Sequence, residues 1–226
     1  MKYIQENLLK VQERITVSAE KAGRDSQSVK LIAVSKTFPA EAVQSAYDAG
    51  QRLFGENKVQ DLALKNAALP KDIQWHMIGH LQSNKVKLAV ENADYIHAVD
   101  SVKLLQRIDR LAGELGRSPK VFLEINVSGE ESKFGVDAEL IKELAQAALK
   151  CENITVAGLM TMAPFGVSES ELRFVFSSLR KLRENLEAEF GLALPELSMG
   201  MSSDFEVAIE EGATMVRVGT SIFGGR

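Results

Sequence analysis

Short apolar runs recur along the chain, and longer segments with a helical spacing of apolar residues separate them. The runs lie at 31–34, 52–54, 73–78, 95–99, 121–127, 154–159, 197–199 and 215–218. Runs of this length are typical of strands that are buried on both faces of a parallel sheet. We therefore predict eight β-strands in this order.

The segments between the runs carry helix signals. Ser101 is a good N-cap for the helix that follows strand four, and Gly116 is a good stop for it. A further helix is predicted before the first strand, because its apolar residues recur at spacings of three and four. This stripe consists of Ile4, Leu8, Val11, Ile15 and Ala19.

Two pairs of residues have the spacing of a capping box, in which a Ser or Thr is followed three residues later by Glu or Gln. Ser168 and Glu171 precede a long apolar-periodic segment, and Ser203 and Glu206 precede a short one that runs to Gly212. We predict that each pair begins a helix.

Strands that alternate with helices indicate parallel pairing, since parallel strands need crossover connections. Eight such units in 226 residues fit a single (β/α)8 TIM-type barrel that spans residues 1–226, with the extra helix at the N-terminus. An open doubly wound sheet is the alternative. The sequence has no Gly/Pro/Ser-rich linker that would divide it into two domains.

Composition narrows the classes of function. The net charge is −4 and no block of Lys or Arg stands out, which argues against nucleic acid as a partner. Cys151 is the sole cysteine, so neither an internal disulfide nor a cysteine metal cluster can form. The N-terminus has no apolar signal region, and no run is long enough to span a membrane. We expect a cytoplasmic monomer.

Several polar residues and glycines follow predicted strands, and the active face of a barrel carries the strand carboxyl ends. Gly200 and Ser202 follow strand seven, and Gly219 and Thr220 follow strand eight. The segments after these two strands commonly bind phosphate in barrels. Taken alone, these residues are more typical of ordinary turns and helix caps; in a barrel the phosphate interpretation is favoured.

Lys36 directly follows the apolar run of strand one. Lysines are usually exposed, so one interpretation is a side chain that extends from the rim into solvent. The other is an amine that is desolvated and close to cations, and is therefore more readily neutral. A neutral amine can attack an aldehyde to form a Schiff base. An aldehyde that also carries a phosphate would use both features of the predicted rim.

Other candidates are weaker. His76 and His80 are four residues apart, but they flank a strand end and lack an evident third ligand, so a metal site is disfavoured. His97 lies in an apolar strand and is interpreted as a core histidine. Glu124 and Asn126 either point into the barrel towards the site or provide polar packing in a barrel layer.

Four segments resemble the YggS/PROSC-type pyridoxal 5′-phosphate (PLP) homeostasis proteins. They read LIAVSKTFP, FGENKVQ, WHMIGHLQSNK and SMGMSSDFEVAIEEGATMVRVGTSIFG. The resemblance covers nearly the whole chain, and the last segment is long and specific. It implies the barrel that is also found at the N-terminus of alanine racemase, the fold-type III PLP architecture.

The resemblance also implies roles for single residues around PLP. Lys36 would form the Schiff base, and Asn57 would lie beside the cofactor. Arg217 would face the pyridine nitrogen. Lys133 would help PLP to move on or off, although a solvated loop lysine is an equally good interpretation of that residue. The phosphate would be held by Ser202, Gly219 and Thr220.

Proteins of this family are regarded as carriers or regulators of PLP that affect vitamin B6 and the balance of amino acids and keto acids, and PLP-dependent apoenzymes are candidate recipients. We therefore expect a binder without a reaction of its own. The alternative is a single-domain PLP enzyme such as a weak racemase. Alanine racemase uses a tyrosine base that a second domain supplies. We expect this sequence to lack that domain, and we expect none of Tyr3, Tyr47 and Tyr95 on the active rim.

A third hypothesis is a phosphate-binding enzyme that uses Lys36 on a sugar aldehyde.

Overall fold

The computed structural model describes residues 2–127, 135–136 and 140–225. Its strands are β1 (Lys30–Val34), β2 (Leu53–Glu56), β3 (Gln74–Met77), β4 (Tyr95–Val99), β5 (Lys120–Glu124), β6 (Thr155–Met160), β7 (Glu196–Ser198) and β8 (Met215–Val218).

The helices alternate with these strands, and one of them precedes β1. They are α1 (Lys2–Lys21), α2 (Ala40–Asp48), α3 (Val59–Ala68), α4 (Val86–Asn92), α5 (Val102–Leu115), α6 (Ile141–Ala148), α7 (Glu169–Phe190), α8 (Phe205–Glu210) and α9 (Thr220–Phe223). Short 3-10 turns lie at Ser26–Ser28 and Ser83–Lys85. None of the described helices is both long enough and apolar enough to cross a lipid bilayer.

The strands form a closed parallel barrel in chain order. The barrel closes where β1 pairs with β8, with Ile32 opposite Arg217 and Ala33 opposite Val218. The predicted (β/α)8 barrel with an extra N-terminal helix is confirmed, and the open doubly wound sheet is wrong. Closure also brings the end of the first strand beside the end of the last.

Side chains alternate between the two faces of each strand, which separates an inner core from an outer one. The outer core lies between the strands and the helices. The inner core fills the barrel and contains Ile32, Tyr95, Phe122, Ala157, Met160 and Met215. Two residues further along four of these strands, the inward positions are Val34, His97, Glu124 and Arg217. This second level leads from the packed core to the carboxyl-end rim.

Most of the predicted helix ends are confirmed. The Ser101 hydroxyl accepts a hydrogen bond from the backbone N–H of Leu104, and Gly116 ends α5 in the left-handed region at φ 61°. Ser168 and Glu171 form a complete capping box at α7.

The capping box predicted at Ser203 and Glu206 is wrong. Asp204 is the N-cap of α8, and its carboxylate accepts a hydrogen bond from the backbone N–H of Met201 at 2.6 Å. Glu206 instead pairs with Arg14 of α1. The reason is tertiary: α1 packs on α8 and engages the glutamate that the capping box would have used.

Strand five ends earlier than predicted. The ladder with β6 runs to Glu124, and Ile125 then forms an isolated bridge with Val136. The backbone N–H of Val136 donates to the Glu124 carbonyl at 2.7 Å. The β5 ladder therefore ends at Glu124, and Ile125 and Asn126 connect it to Val136 at the rim.

We predict that Gly158→Ala strongly destabilises the barrel. A Cβ at this position would lie 1.8 Å from the carbonyl oxygen of Glu196 on the neighbouring strand, and backbone cannot move aside cheaply. The expected loss is about 3 kcal/mol, or a fall in the unfolding temperature of roughly 6–12 °C. Thermal unfolding followed by circular dichroism measures it. Gly225→Ala is the control, since its added carbon meets no atom within 4 Å; equal unfolding temperatures for both variants would contradict the prediction.

Candidate functional site

A cavity of about 770 Å³ opens at the carboxyl ends of the strands. This volume is in the range of small-molecule and cofactor sites. Its described lining residues come from strand ends and the loops that follow them. They are Val34, Lys36, Thr37, Phe38, Asn57, Ile78, Gly79, His80, Glu124, Met162, Phe165, Met201, Ser202, Ser203, Arg217, Gly219, Thr220, Ser221 and Gly224.

Lys36 lies two residues beyond β1 and lines this cavity. Its side chain is exposed, so the desolvation expected from the sequence is not present; the expectation that it lies at the rim of the site is met. Thr37 has φ 70°, a left-handed conformation that is uncommon for a residue other than glycine. Strained backbone of this kind is often found at functional sites.

A buried ion pair fixes the backbone that leads to Lys36. Nζ of Lys65 donates to the Ser35 carbonyl at 2.9 Å and also pairs with the Glu56 carboxylate. The Ser35 hydroxyl donates to the same carboxylate at 2.7 Å. Since Glu56 ends β2 and Ser35 follows β1, this network ties two adjacent strand ends together. Sequence reasoning missed Lys65, because a lysine on a helix is ordinarily solvated.

Asn57 directly follows β2 and lines the cavity beside Gly79. A Cβ at Gly79 would lie 2.3 Å from the Asn57 carbonyl oxygen, so only glycine permits this approach. The two loops after β2 and β3 are therefore packed backbone to backbone, which sets the position of Asn57.

The predicted phosphate residues converge. Oγ of Ser202 accepts a hydrogen bond from the backbone N–H of Gly219 at 3.2 Å and a longer one from that of Ser221 at 3.5 Å. Gly200 has φ 93°, and a Cβ there would lie 2.6 Å from Cβ of Ala208. A hydroxyl and backbone N–H groups therefore form a cup on one side of the cavity, next to Thr220.

Arg217 reaches the cavity from inside the barrel and is only 5% exposed. Its Nη1 donates to the carbonyl and hydroxyl oxygens of Ser198 at 2.8 and 2.7 Å, and its Nη2 donates to the carbonyl of Thr161 at 2.9 Å. Burial lowers the pKa of Arg217 to about 10, although the negative charges of Glu124 and Asp204 oppose this shift. The guanidinium therefore remains charged at neutral pH.

A row of histidines continues from Ser198 into the barrel. Nδ1 of His97 lies 3.0 Å from the Ser198 hydroxyl, and its Nε2 lies 2.9 Å from Nδ1 of His76. Burial lowers the pKa of His76 to about 3 and that of His97 well below its usual value, so both rings are neutral. The interpretation of His97 as a satisfied core histidine is confirmed.

His76 and His80 lie in different environments. His76 lies inside the barrel and stacks on Tyr95 with ring centroids 4.2 Å apart. His80 lines the cavity, with Nδ1 3.3 Å from a carboxylate oxygen of Asp100. Within the described ranges, no cluster of three or more His, Cys, Asp or Glu could hold a metal ion.

Glu124 projects into the inner end of the cavity and is 2% exposed. Burial raises the pKa of its carboxyl to about 7, and the charge of Asp100 acts in the same direction, while Arg217 opposes both. Its Oε2 has no hydrogen-bond partner in the described structure. Of the two interpretations made from the sequence, the inward-pointing one is correct for Glu124.

Lys133, to which the resemblance gave a role in PLP movement, lies outside the described residues. Phe165, in the segment after β6, lines the cavity mouth and is 94% exposed. Sequence reasoning did not identify Phe165, because a single apolar residue in a loop carries no periodic signal.

The chain was compared with known proteins. The family model of the alanine racemase N-terminal domain matches residues 7–226. A protein of Aquifex aeolicus named pyridoxal phosphate homeostasis protein is 46% identical over 222 residues, which cover 98% of this chain and 97% of that protein.

Solved structures agree with this comparison. PipY of Synechococcus elongatus PCC7942, solved with PLP bound, is 44% identical with a TM-score of 0.87, covering 98% of this chain and all of that one. Alanine racemase of Corynebacterium glutamicum shares the fold at 18% identity and a TM-score of 0.71, and this chain covers 60% of it. The match of the family model over residues 7–226 and the identity to full-length relatives show that the chain belongs to the pyridoxal phosphate homeostasis proteins, within the alanine racemase N-terminal domain family.

Proposed function

We propose that this protein binds pyridoxal 5′-phosphate as a Schiff base on Lys36 and carries or buffers it, thereby contributing to vitamin B6 and amino-acid and keto-acid homeostasis. The observation that carries the proposal is that the amine of Lys36 and the cup at Ser202 and Gly219 line one cavity. The ligand has an aldehyde and a phosphate, one for each feature. The PLP bound to PipY and the names of the relatives support it.

The polar groups of the cavity fit a phosphate ester. The Ser202 hydroxyl and the backbone N–H groups of Gly219 and Thr220 would hold it, since N–H groups and hydroxyls are good partners for anionic oxygens. In the structure the N–H of Gly219 donates to the Ser202 hydroxyl, so these two groups already lie within hydrogen-bond distance of each other. Asn57, which follows β2 and lines the same cavity, would also contact the ligand.

Arg217 would face the pyridine nitrogen. Its terminal nitrogens are held by Ser198 and Thr161, which aims the group rigidly and leaves Nε outside the described hydrogen bonds. Bound PLP can act as an electron sink, and PLP enzymes often strengthen this with a carboxylate at the pyridine nitrogen. An arginine remains charged and is a poor proton donor there, so carbanion chemistry is weakly supported.

The described cavity lining supports a binder over a two-base racemase, because it contains no tyrosine. Tyr47 bonds to Asp72 on the surface, and Tyr95 lies deep in the barrel against Lys120.

We further propose that residues 1–226 form one domain, that the protein is a cytoplasmic monomer, and that PLP-dependent apoenzymes receive its ligand. Lys133 stays a predicted transfer residue.

We predict that Lys36→Ala abolishes the visible absorption band that appears when PLP is added to the protein. Without this amine no Schiff base forms at the site. Absorption titration of the apoprotein measures the effect, and Lys58→Ala, an exposed lysine at the next strand end, is the matched control. Loss of the band in the control, or its persistence in Lys36→Ala, would contradict the assignment.

We predict that Ser202→Ala weakens PLP binding about tenfold or more, the effect of losing a hydrogen bond to a charged group. Binding of pyridoxal, which lacks the phosphate, should change much less. Fluorescence titrations with both ligands measure the difference, with Ser177→Ala, a half-buried serine of α7 that does not line the cavity, as the control. Equal losses for the two ligands would place the phosphate elsewhere.

The enzyme alternative has its own test. Purified holoprotein incubated with L-alanine should form no D-alanine at ordinary enzyme rates, because the described lining supplies no tyrosine base. Chiral chromatography detects the product. Turnover that disappears in Lys36→Ala would show that the protein is a PLP enzyme and that the carrier proposal is wrong.

A further inference from the structure

Glu124 is the one carboxyl group among the described residues that line the cavity. It ends β5 and points inward, two residues after Phe122 of the inner core. Its backbone is fixed on both sides: its carbonyl accepts from the N–H of Val136 at 2.7 Å, and the next residue, Ile125, donates to the Met160 carbonyl at 2.8 Å. The direction of the side chain is therefore set by the barrel.

This carboxyl is incompletely satisfied in the described structure. Oε2 is buried and has no hydrogen-bond partner there. An ionised oxygen buried without a donor is costly, whereas a protonated carboxyl is not penalised in the same way. Either protonation of the carboxyl or a hydrogen bond to a polar ligand atom in the cavity would remove this cost. The roles proposed above for Lys36, Ser202 and Arg217 leave Glu124 unused.

The titratable groups around the Glu124 carboxyl lie on the neighbouring strands and at their ends. From β4 and its end these are His97, which is neutral, and Asp100; from β8 it is Arg217. The strand β6 has no titratable side chain, and Lys36 and His80 line the same cavity. Residues 128–134, which include Lys133, lie beyond the described part. Burial and Asp100 together outweigh Arg217, so the carboxyl has a raised pKa of about 7.

We propose that Glu124 contacts the bound ligand and couples its retention to pH. The protonated carboxyl donates a hydrogen bond to the hydroxyl oxygen carried by the aromatic ring of the aldehyde phosphate, and the ionised carboxylate repels the negative charge of the same ligand. This rests on the proposed function and adds one contact to those already proposed for the aldehyde, the phosphate and the pyridine nitrogen.

The direction and size of the effect of pH on PLP affinity follow from the titration of Glu124. Below the midpoint the carboxyl is protonated and the site is competent; above it the carboxylate opposes the ligand, so affinity falls as pH rises. With a midpoint of about 7, the competent fraction drops from roughly nine-tenths at pH 6 to one-tenth at pH 8. PLP affinity should therefore fall about tenfold through this group alone.

The experiment compares dissociation constants for PLP at pH 6, 7 and 8 in the wild-type protein and in Glu124→Gln, with Glu114→Gln on exposed α5 as the matched control. The amide keeps a donor and does not titrate, so the wild-type protein should lose about tenfold more affinity than Glu124→Gln over this range. Any pH dependence that the two proteins share cancels in this ratio. A ratio that stays constant with pH overturns the inference.

The proposed function and this inference fail differently. Wild-type protein that binds no PLP at any of the three pH values removes the proposed function. Wild-type protein that binds PLP with a pH-independent ratio removes only the role of Glu124.

A second measurement does not depend on whether Glu124→Gln folds. In Lys36→Ala, where no Schiff base forms, calorimetric titration with PLP in two buffers of different ionisation enthalpy counts the protons taken up. Uptake that increases from pH 6 to pH 8 is expected, because binding returns a proton to Glu124. Binding without proton uptake at pH 8 overturns the inference.

Discussion

The parallel pairing of β1 with β8 is the constraint on which the site depends. It closes the barrel and places Ala33 opposite Val218, so the chain leaving each strand emerges on the same rim. Lys36 and Gly219 are 183 positions apart in the sequence, yet both line one cavity because of this pairing. The approach is close: a Cβ at Gly219 would lie 3.1 Å from the carbonyl oxygen of Val34.

Below the rim, the barrel holds polar groups that an apolar core would ordinarily exclude. Buried polar groups are costly unless they are paired, and most of these are: Arg217 bonds Ser198, and His97 bonds both Ser198 and His76. The result is a charged guanidinium that is held by a rigid neutral scaffold and presented to the cavity. Pre-organisation of this kind lowers the cost of binding a ligand.

Residues at strand ends were predictable from the sequence, because the barrel rule converts chain position into a place on the rim. Lys36, Ser202 and Gly219 were assigned in this way. What the sequence could not show are contacts made across the fold. Lys65 lies on a helix but is drawn into the barrel wall by Glu56, and Glu206 is engaged by Arg14 of α1 instead of capping its own helix. The exposure of Lys36 is likewise set by the fold around it, and its place after strand one does not reveal it.

The proposed function depends above all on a covalent bond between PLP and Lys36. Borohydride reduction of the PLP-loaded protein, followed by tryptic digestion and peptide mass spectrometry, locates this bond, because reduction converts a Schiff base into a stable amine on the same lysine. We expect one phosphopyridoxyl group, on the peptide that contains Lys36. Label confined to other lysines, or no label at all on protein saturated with PLP, would show that the bond to Lys36 does not form.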